Sequence, residues 1–174
     1  MATRTIGTSG ADHVDVNAWV AYVQATYVSG GNLTESQIGA VKAVGFSPTA
    51  TQVVTGWAPG GSGYTTTVTA NTGDSFRDHA SVQSNAFYWA TANGAFIDGT
   101  SASSPTLDIN VDKTTVKDLQ IRCSGGSYNT ALEFSIITAT ALTVDGCILI
   151  GNTDVGVLNC DNDADNLTVI NTLI

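Results

Sequence analysis

The stretch Thr143-Val144-Asp145-Gly146-Cys147-Ile148-Leu149 decides the fold, because the chain carries the same pattern before and after it. The related stretches are Thr115-Val116-Lys117-Asp118-Leu119-Gln120-Ile121 and Thr168-Val169-Ile170-Asn171-Thr172-Leu173-Ile174. Their Thr-Val pairs lie 28 and then 25 residues apart. A period in the twenties, built on β-branched residues and broken by Gly, Asn or Asp, is typical of a solenoid of stacked β-strands. The repeat therefore predicts a mainly β fold.

The repeat also predicts which side chains stack from one coil to the next. Strands of neighbouring coils pair in parallel about 4.8 Å apart, so equivalent residues form columns. The corner of each coil is expected at Asp118, Gly146 and Asn171. A second strand of each coil is expected at residues 131–134 and 155–158. We expect two apolar columns, one of Val116, Val144 and Val169, and the other of Ile121, Leu149 and Ile174.

Composition and charge favour strands and argue against a nucleic-acid partner. Charged residues make up 12% of the 174 residues, whereas Gly occurs 18 times. The frequent β-branched residues pack well on a pleated sheet. The net charge is −9, and 13 of the 15 acidic residues are Asp, which favours turns. Nucleic-acid binding relies on Lys and Arg that neutralise phosphates, so an acidic surface does not suit it.

The number of cysteines and the lack of long apolar runs indicate the cellular compartment in which the chain is expected to assemble. Cys123, Cys147 and Cys160 are odd in number, and the first two are 24 residues apart, close to one coil. We expect the cysteines to stack as small core residues without disulfides, which fits assembly in a cytosol. Residues 1–30 lack the basic start and apolar run of a signal peptide. No run of 18 apolar residues predicts a membrane span.

An amphipathic helix is predicted in the N-terminal segment, residues 1–33. Asp15 is expected to be its N-cap. Apolar residues follow at i, i+3, i+4, i+7 and i+11, which places them on one helical face of about three turns. We expect this helix to cap one end of the solenoid. The face consists of Val16, Trp19, Val20, Val23 and Tyr27.

Residues 34–105 are predicted to form irregular first coils. Two interpretations fit their beginning. Thr34 and Gln37 have capping-box spacing for a helix, whereas residues 37–44 also fit a strand of small residues, which we favour. Further strands are expected at 51–57, 64–70 and 95–97, the first two being joined by a Gly-rich turn.

Residues 106–174 are predicted to form the regular coils. They open with a strand at 107–111, in which Leu, Ile and Val alternate with polar residues. The sequence stops at Leu173-Ile174, within a strand motif. An open solenoid end exposes apolar side chains and unpaired backbone groups, so we expect further chain or a partner to cover it.

Two further stretches resemble a known family. Thr5-Ile6-Gly7-Thr8-Ser9-Gly10-Ala11-Asp12, followed by Asn17-Ala18-Trp19, resembles the N-terminus of right-handed parallel β-helix proteins of bacteriophages and prophages. A second block of those proteins is similar to Gly73-Asp74-Ser75-Phe76-Arg77-Asp78-His79-Ala80-Ser81-Val82-Gln83-Ser84-Asn85-Ala86. With the repeats, the resemblance spans nearly the whole chain.

The resemblance implies a right-handed single-stranded parallel β-helix that serves as a virion structural protein assembled in the host cytoplasm. It would be a tail fibre or spike base, or a capsid decoration. Its expected partners are other virion proteins and copies of itself, with a trimer as the best guess, and a host surface glycan is a further candidate. We expect no membrane partner. Related β-helices include pectate lyases and tailspike glycosidases, but no motif positions carry over, so we assign no catalytic, cofactor-binding or metal residues.

Carboxylate pairs are the main sign of enzymatic chemistry to weigh. A glycosidase needs two carboxylates about 5 to 9.5 Å apart across a cleft. Asp118 and Asp145 are offset by one position, so we expect their side chains to leave opposite faces. Glu133 and Asp154 are a looser candidate pair. Solvated corner residues are the simpler interpretation.

Other motifs are incomplete. Residues 161–166, Asp-Asn-Asp-Ala-Asp-Asn, have the D-x-D-x-D spacing of a calcium loop. The loop lacks the Gly, and Thr172 stands where the closing Glu belongs, so an Asx-rich turn is the simpler alternative. His79 beside Asp78 has no nearby nucleophile, and a lone His is usually structural.

Aromatic residues near the middle of the chain complete the candidates. Phe87, Tyr88 and Trp89 suit core packing better than stacking on a sugar. The sequence therefore predicts a non-enzymatic virion component. The alternatives are a carbohydrate-binding or polysaccharide-cleaving β-helix and a secreted adhesin passenger.

Overall fold

The computed structural model describes residues 1–43, 46–58, 63–78, 89–101, 103–125, 130–136, 141–151, 157–160 and 166–174. In this part the chain is mainly β, with three parallel sheets, one short antiparallel hairpin and one α-helix. The hairpin joins β2 (Val28–Ser29) to β3 (Asn32–Leu33). The parallel character and the N-terminal helix confirm those parts of the prediction.

The strands are ordered in each sheet as follows. Sheet 1 contains β1 (Ala2–Ile6), β4 (Gln37–Val41), β6 (Thr66–Ala70), β9 (Thr114–Lys117), β12 (Leu142–Asp145) and β15 (Leu167–Ile170). Sheet 2 contains β7 (Phe96–Gly99), β10 (Gln120–Cys123) and β13 (Ile148–Ile150). Sheet 3 contains β5 (Gln52–Val54), β8 (Leu107–Ile109), β11 (Leu132–Phe134) and β14 (Leu158–Cys160).

Successive strands visit the three sheets in a fixed order. The chain passes from sheet 1 to sheet 2 to sheet 3 through β6, β7 and β8, then through β9, β10 and β11, and then through β12, β13 and β14. We call each set of three strands a circuit. Single bridges extend sheet 2 at both ends, from Phe46 to Ile97 and from Leu173 to Ile148. Residues 34–54 and 166–174 thus add a partial circuit on either side.

The predicted columns are present in the sheets. Val144 pairs with Val116 on one side and with Val169 on the other, and Ile121 pairs with Leu149. The bridge between Ile148 and Leu173 continues that second column in the same register toward the last residue. The repeat therefore predicted the strand register correctly.

The corners explain why Asp, Gly and Asn punctuate the repeats. Asp118, Gly146 and Asn171 have φ angles of 56°, 64° and 51°. This left-handed region is accessible to Gly and, among other residues, mainly to Asn and Asp. The N–H groups of Asp118 and Gly146 donate to carbonyls of the next circuit, those of Asp145 and Ile170, at 3.0 Å each. The corners therefore stack as the strands do.

Alternation of buried and outward side chains builds one continuous core. In sheet 1, Val68, Val116 and Val144 are fully buried, whereas the threonines beside them are only half-buried. The other two sheets contribute equally buried residues, so the core runs along the circuits. These residues are Ile97, Ile121, Leu107, Ile109, Leu132 and Phe134.

The helix covers the first edge of sheet 3. Helix α1 (Val16–Tyr27) begins at Asp15, whose Oδ1 accepts a hydrogen bond from the Ala18 N–H at 2.8 Å. The Asn17 amide pairs with the outer edge of β5, accepting from the Val53 N–H at 2.8 Å and donating to the Thr51 carbonyl at 3.0 Å. An edge that would otherwise be unpaired is thereby satisfied.

Close packing of the helix depends on a glycine in sheet 1. A Cβ on Gly39 would lie 2.8 Å from Cδ1 of Ile6 and 3.1 Å from the Trp19 ring. Trp19 is fully buried and meets Trp57 edge to face, with ring centroids 6.4 Å apart. Gly39 therefore lies in a strand, β4, as the favoured interpretation of this segment predicted, and α1 packs on that strand.

The structure corrects the predicted bounds of several strands. The strands within 51–57 and 64–70 are shorter, β5 and β6, and they lie in different sheets. The last strand of sheet 3 is β14, which starts at Leu158 rather than ending there, and residues 155–156 lie outside the described part. The register of Leu158 and Cys160 against Leu132 and Phe134 sets this start.

The cysteines do not form the predicted stack. Cys123 ends β10 and pairs with Gly99, whereas Cys147 lies in the corner before β13. Both are buried, Cys160 is half-buried, and all three are free thiols. A spacing of 24 residues did not mean equivalent positions, because the lengths of the loops differ between circuits. Burial raises the pKa of Cys147 to about 12, so this thiol stays protonated at neutral pH.

The last strand presents apolar side chains to solvent. Val169, Ile170, Leu173 and Ile174 are 39%, 44%, 46% and 62% exposed. No strand of the described residues pairs with the outer edge of β15. In the same part of the chain, no helix is both long and apolar enough to cross a membrane.

Candidate functional site

A long excursion between β6 and β7 covers the outer face of sheet 2. We call it the clasp, and its described parts are residues 74–78 and 89–95. Its two ends meet where the Ala95 N–H donates to the Asp74 carbonyl at 2.7 Å. The Asn71 amide also donates to the Asp74 carboxylate at 2.7 Å, which fixes the start of the excursion.

The second part of the clasp is held by a polar clamp. The Gln120 side chain, fully buried in β10, accepts from the Ala90 N–H at 3.0 Å and donates to the Ala90 carbonyl at 3.1 Å. One amide side chain thus satisfies both backbone groups of Ala90, as a neighbouring strand would.

An ion pair and an aromatic ring lie beside this clamp. The Arg122 guanidinium donates to both carboxylate oxygens of Asp98, through Nε at 2.9 Å and through Nη2. The same guanidinium lies 4.7 Å from the centroid of Trp89, which packs edge to face on Phe96. The hydrogen bond that Arg122 donates to Asp98 raises the pKa of Arg122, and Asp98 is only 8% exposed. This carboxylate therefore serves to hold the clasp on the sheet.

The first part of the clasp reaches the corners of the later circuits. Phe76 is buried against Ile148 and Ile150 on the outer face of sheet 2. Arg77, next to it, donates through Nη2 to the Asn171 carbonyl at 3.2 Å, and its Nε lies 3.4 Å from Oδ1 of Asp118. Two adjacent residues thus bind an apolar patch and a polar corner.

The polar corner gathers charges of both signs. Lys117 Nζ lies 3.9 Å from Oδ2 of Asp118 and 4.0 Å from Oδ2 of Asp145, and the Asn171 amide donates to Asp145 at 3.1 Å. The prediction that Asp118 and Asp145 leave opposite faces is wrong. The left-handed conformation of Asp118 turns its side chain back toward the strand end, which sequence offset alone does not reveal.

Burial governs the titration of this corner. It raises the pKa of Asp118 above the usual value, and the opposing effects of Lys117 and Arg77 are smaller. Two cations and a carboxamide around two carboxylates make a compensated cluster. The corner therefore connects parts of the chain, and it offers no unpaired nucleophile or base in the described contacts.

Sheet 3 carries a carboxylate pair that the sequence did not reveal. Asp108 of β8 and Glu133 of β11 are register partners, and both alternate with fully buried residues. Adjacent parallel strands lie about 4.8 Å apart, close to the separation of the carboxylates in a retaining glycosidase. Glu133 is only 7% exposed and accepts from the Ser135 hydroxyl at 3.1 Å. The sequence contained a signal for this pair. When the apolar residues of the predicted strand Ala131–Phe134 are matched with those of the predicted strand 107–111, the two acids become neighbours.

The remaining candidates divide between the described part and the rest of the chain. Asp154, His79, Phe87, Tyr88 and most of the 161–166 stretch lie outside the described residues. His13 lies just ahead of the helix, and its ring is tilted by 40° to the Tyr22 ring, with ring centroids 5.0 Å apart. Burial lowers the pKa of His13.

The donors for metal binding are dispersed. Among the described residues, no three His, Cys, Asp or Glu side chains lie close enough together to hold a metal ion. No family model, curated protein or solved structure matched the chain.

Proposed function

We propose that the chain is a right-handed parallel β-helix that acts as a non-enzymatic structural protein of a bacteriophage particle. The fixed order in which strands visit three parallel sheets supports the β-helix. Crossovers between parallel strands of one sheet are right-handed in nearly all proteins, which supports the hand. The bacteriophage assignment rests on the resemblance of residues 5–12 and 73–86 to blocks of such proteins.

The contacts made by the acidic side chains support a structural role for the chain. The described carboxylates with specific contacts hold backbone or neighbouring side chains in place. Asp98 binds Arg122, Asp118 binds Arg77, and Asp145 binds Asn171. Elsewhere, Asp12 accepts from Thr5 and Asp112 from Ala141. Contacts of this kind are those expected of carboxylates that stabilise a fold.

The outer face of sheet 1 suits packing against other proteins of a particle. Thr67, Thr115, Thr143 and Thr168 are register partners on the side away from the core. They form a straight column without charge on a chain whose net charge is −9. Such a face is flat and repeats at the strand spacing, which suits side-by-side contacts. The partners would be other virion proteins and copies of this chain, with a trimer as the first arrangement to test.

Detection in purified particles tests this function. Particles banded on a density gradient from a lysate that contains the chain should carry it at a fixed stoichiometry, measured by quantitative mass spectrometry. Native mass spectrometry of the purified chain gives the number of copies in the assembly. A chain that stays in the soluble fraction after complete particle assembly contradicts the proposal.

A second function is favoured by one observation, the pair formed by Asp108 and Glu133. If this pair cleaves polysaccharide, incubation with bacterial surface polysaccharide should release new reducing ends. Glu133→Gln and Asp108→Asn should each abolish the release while leaving the circular dichroism spectrum unchanged. The nearly complete burial of Glu133 is the reason to rank this function second.

A further inference from the structure

We propose that the clasp locks the last circuits together through Arg77, so that its release opens the C-terminal part of the stack without unfolding the rest. The inference concerns a conformational device, and it does not depend on the proposed function. It begins with the position of one side chain. Arg77 lies in the clasp, between β6 and β7, yet its contacts are with the two following circuits and with residues 166–174.

Three stacked corners receive this side chain. The guanidinium pairs with Asp118 in the circuit of β9, crosses Gly146 in the circuit of β12, and donates to the Asn171 carbonyl after β15. A single rigid group therefore connects three successive levels of sheet 1. Backbone hydrogen bonds between strands connect only neighbouring levels.

Gly146 makes this arrangement possible. A Cβ at this position would overlap the Arg77 guanidinium and lie 2.7 Å from Oδ1 of Asp118. The φ angle of 64° also favours glycine there, whereas the corners above and below hold Asp and Asn. Of the three corners, the middle one thus lacks a side chain where the arginine passes.

Phe76 makes the contact two-sided. It is 1% exposed and packs on Ile148 and Ile150, so the clasp grips the outer face of β13 while Arg77 grips the corner before it. The other end of the clasp is fixed on β7 and β10 by Trp89, Ala90 and their partners. The clasp therefore spans all three strands of sheet 2.

The contact with Arg77 should stabilise the last strand, β15, more than the other strands. Among the described strands, β15 pairs with β12 alone, and its apolar residues are partly exposed. Strands with few buried contacts open locally at lower free energy than core strands. The hydrogen bond from Arg77 to Asn171 adds a connection that bypasses β12.

Hydrogen–deuterium exchange with mass spectrometry tests the lock in the purified 174-residue chain. In Arg77→Gln, peptides covering residues 142–150 and 166–174 should exchange about tenfold faster or more, because charged hydrogen bonds to backbone are lost. Peptides covering α1 and β4 should keep their exchange rates.

Lys117→Gln is the matched control. It removes one positive charge from the same corner, but the ion pairs of Lys117 within the described residues are with Asp118 and Asp145, and Lys117 does not belong to the clasp. Its effect on residues 166–174 should stay within about threefold, as expected for an exposed ion pair. Arg77→Lys, which keeps the charge but loses the planar fork, should also accelerate exchange of the last strand.

Three results would overturn the proposal. They are unchanged exchange in both Arg77 variants, equal acceleration by Arg77→Gln and Lys117→Gln, and uniform acceleration across all peptides including α1. The last result would mean that Arg77 supports global stability rather than a local lock. Circular dichroism of each variant, recorded first, establishes that the strands are present.

Discussion

The two ends of the sheet stack are treated differently. At the first edge of sheet 3, the amide of Asn17 pairs with both Thr51 and Val53, and α1 buries its apolar face against the strands. At the last edge of sheet 1, β15 leaves Val169 39% exposed, although Val144, one strand away in the same column, is fully buried. Equivalent residues therefore contribute differently to the free energy of unfolding, because the contribution of an apolar side chain depends on whether it is covered by other residues.

The largest expected effect is a difference in the free energy of unfolding between substitutions of these two valines. Val144→Asp places a charge among buried valines and should lower the free energy of unfolding by roughly 3 to 5 kcal/mol. Val169→Asp, in the same column, should cost about 1 kcal/mol or less, because water reaches this position. Urea unfolding followed by circular dichroism gives both values. Equal effects would mean that the column assignment is wrong.

The next effect sharpens the description of the covered end. Asn17→Ala leaves the Val53 N–H and the Thr51 carbonyl without their partner, which should cost about 1 to 3 kcal/mol. Gln24→Ala removes a more exposed hydrogen bond from the same helix to Thr55, and it should change stability by about 0.5 kcal/mol or less. If the two variants unfold at the same urea concentration, the helix does not act as an edge cap.

The sequence was informative wherever one residue type had a single physical explanation. The Thr-Val repeats predicted the columns of Val116, Val144 and Val169, since strand periodicity and spacing agree. Asp118, Gly146 and Asn171 were placed at a corner by the alignment of the repeats, and such residues adopt positive φ more easily than most others. Asp15 and the spacing of Trp19 and Val23 gave the helix and its N-cap.

The contacts made by loops could not be predicted in this way. The contacts of residues 74–78 and 89–95 with sheet 2 and its neighbouring corners depend on residues that meet at long range, such as Arg77 and Asn171, 94 residues apart. The same reason explains the errors in the cysteine stack and in the directions of Asp118 and Asp145. Loops of unequal length shift equivalent positions, and local backbone conformation redirects side chains.

A smaller effect concerns Asp118 of the corner column, in which the equivalent residue Asn171 has an uncharged side chain. Burial raises the pKa of Asp118, so the folded state binds its proton more readily than the unfolded state does. This contribution to stability is present below the ordinary carboxyl pKa and decreases as pH rises through the folded pKa. Asp118→Asn should therefore stabilise the chain more at pH 7 than at pH 4 relative to wild type. Thermal melts of both proteins at the two pH values measure the difference, and a gain that grows at pH 4 would contradict it.

The smallest effect concerns Thr143, which lies beside Val144 on the opposite face of sheet 1. Thr143→Lys should change the free energy of unfolding by about 0.5 kcal/mol or less, since the long side chain extends into solvent. The same urea titration as for Val144→Asp provides the measurement. A loss comparable with that of Val144→Asp would place the core on the other side of the strand.

The position of the clasp in the sequence has a consequence for biosynthesis. Arg77 is translated 94 residues before Asn171, the residue whose carbonyl it finally binds. At about 5 to 20 residues per second, the ribosome needs roughly 5 to 20 s to supply that interval. Until residues 148–150 are made, Phe76 lacks the surface of sheet 2 that later buries it, and until Arg122 is made, Trp89 lacks the guanidinium on which it later packs. The nascent chain thus carries exposed aromatic side chains, which makes it a natural client for chaperones that bind apolar segments near the ribosome exit.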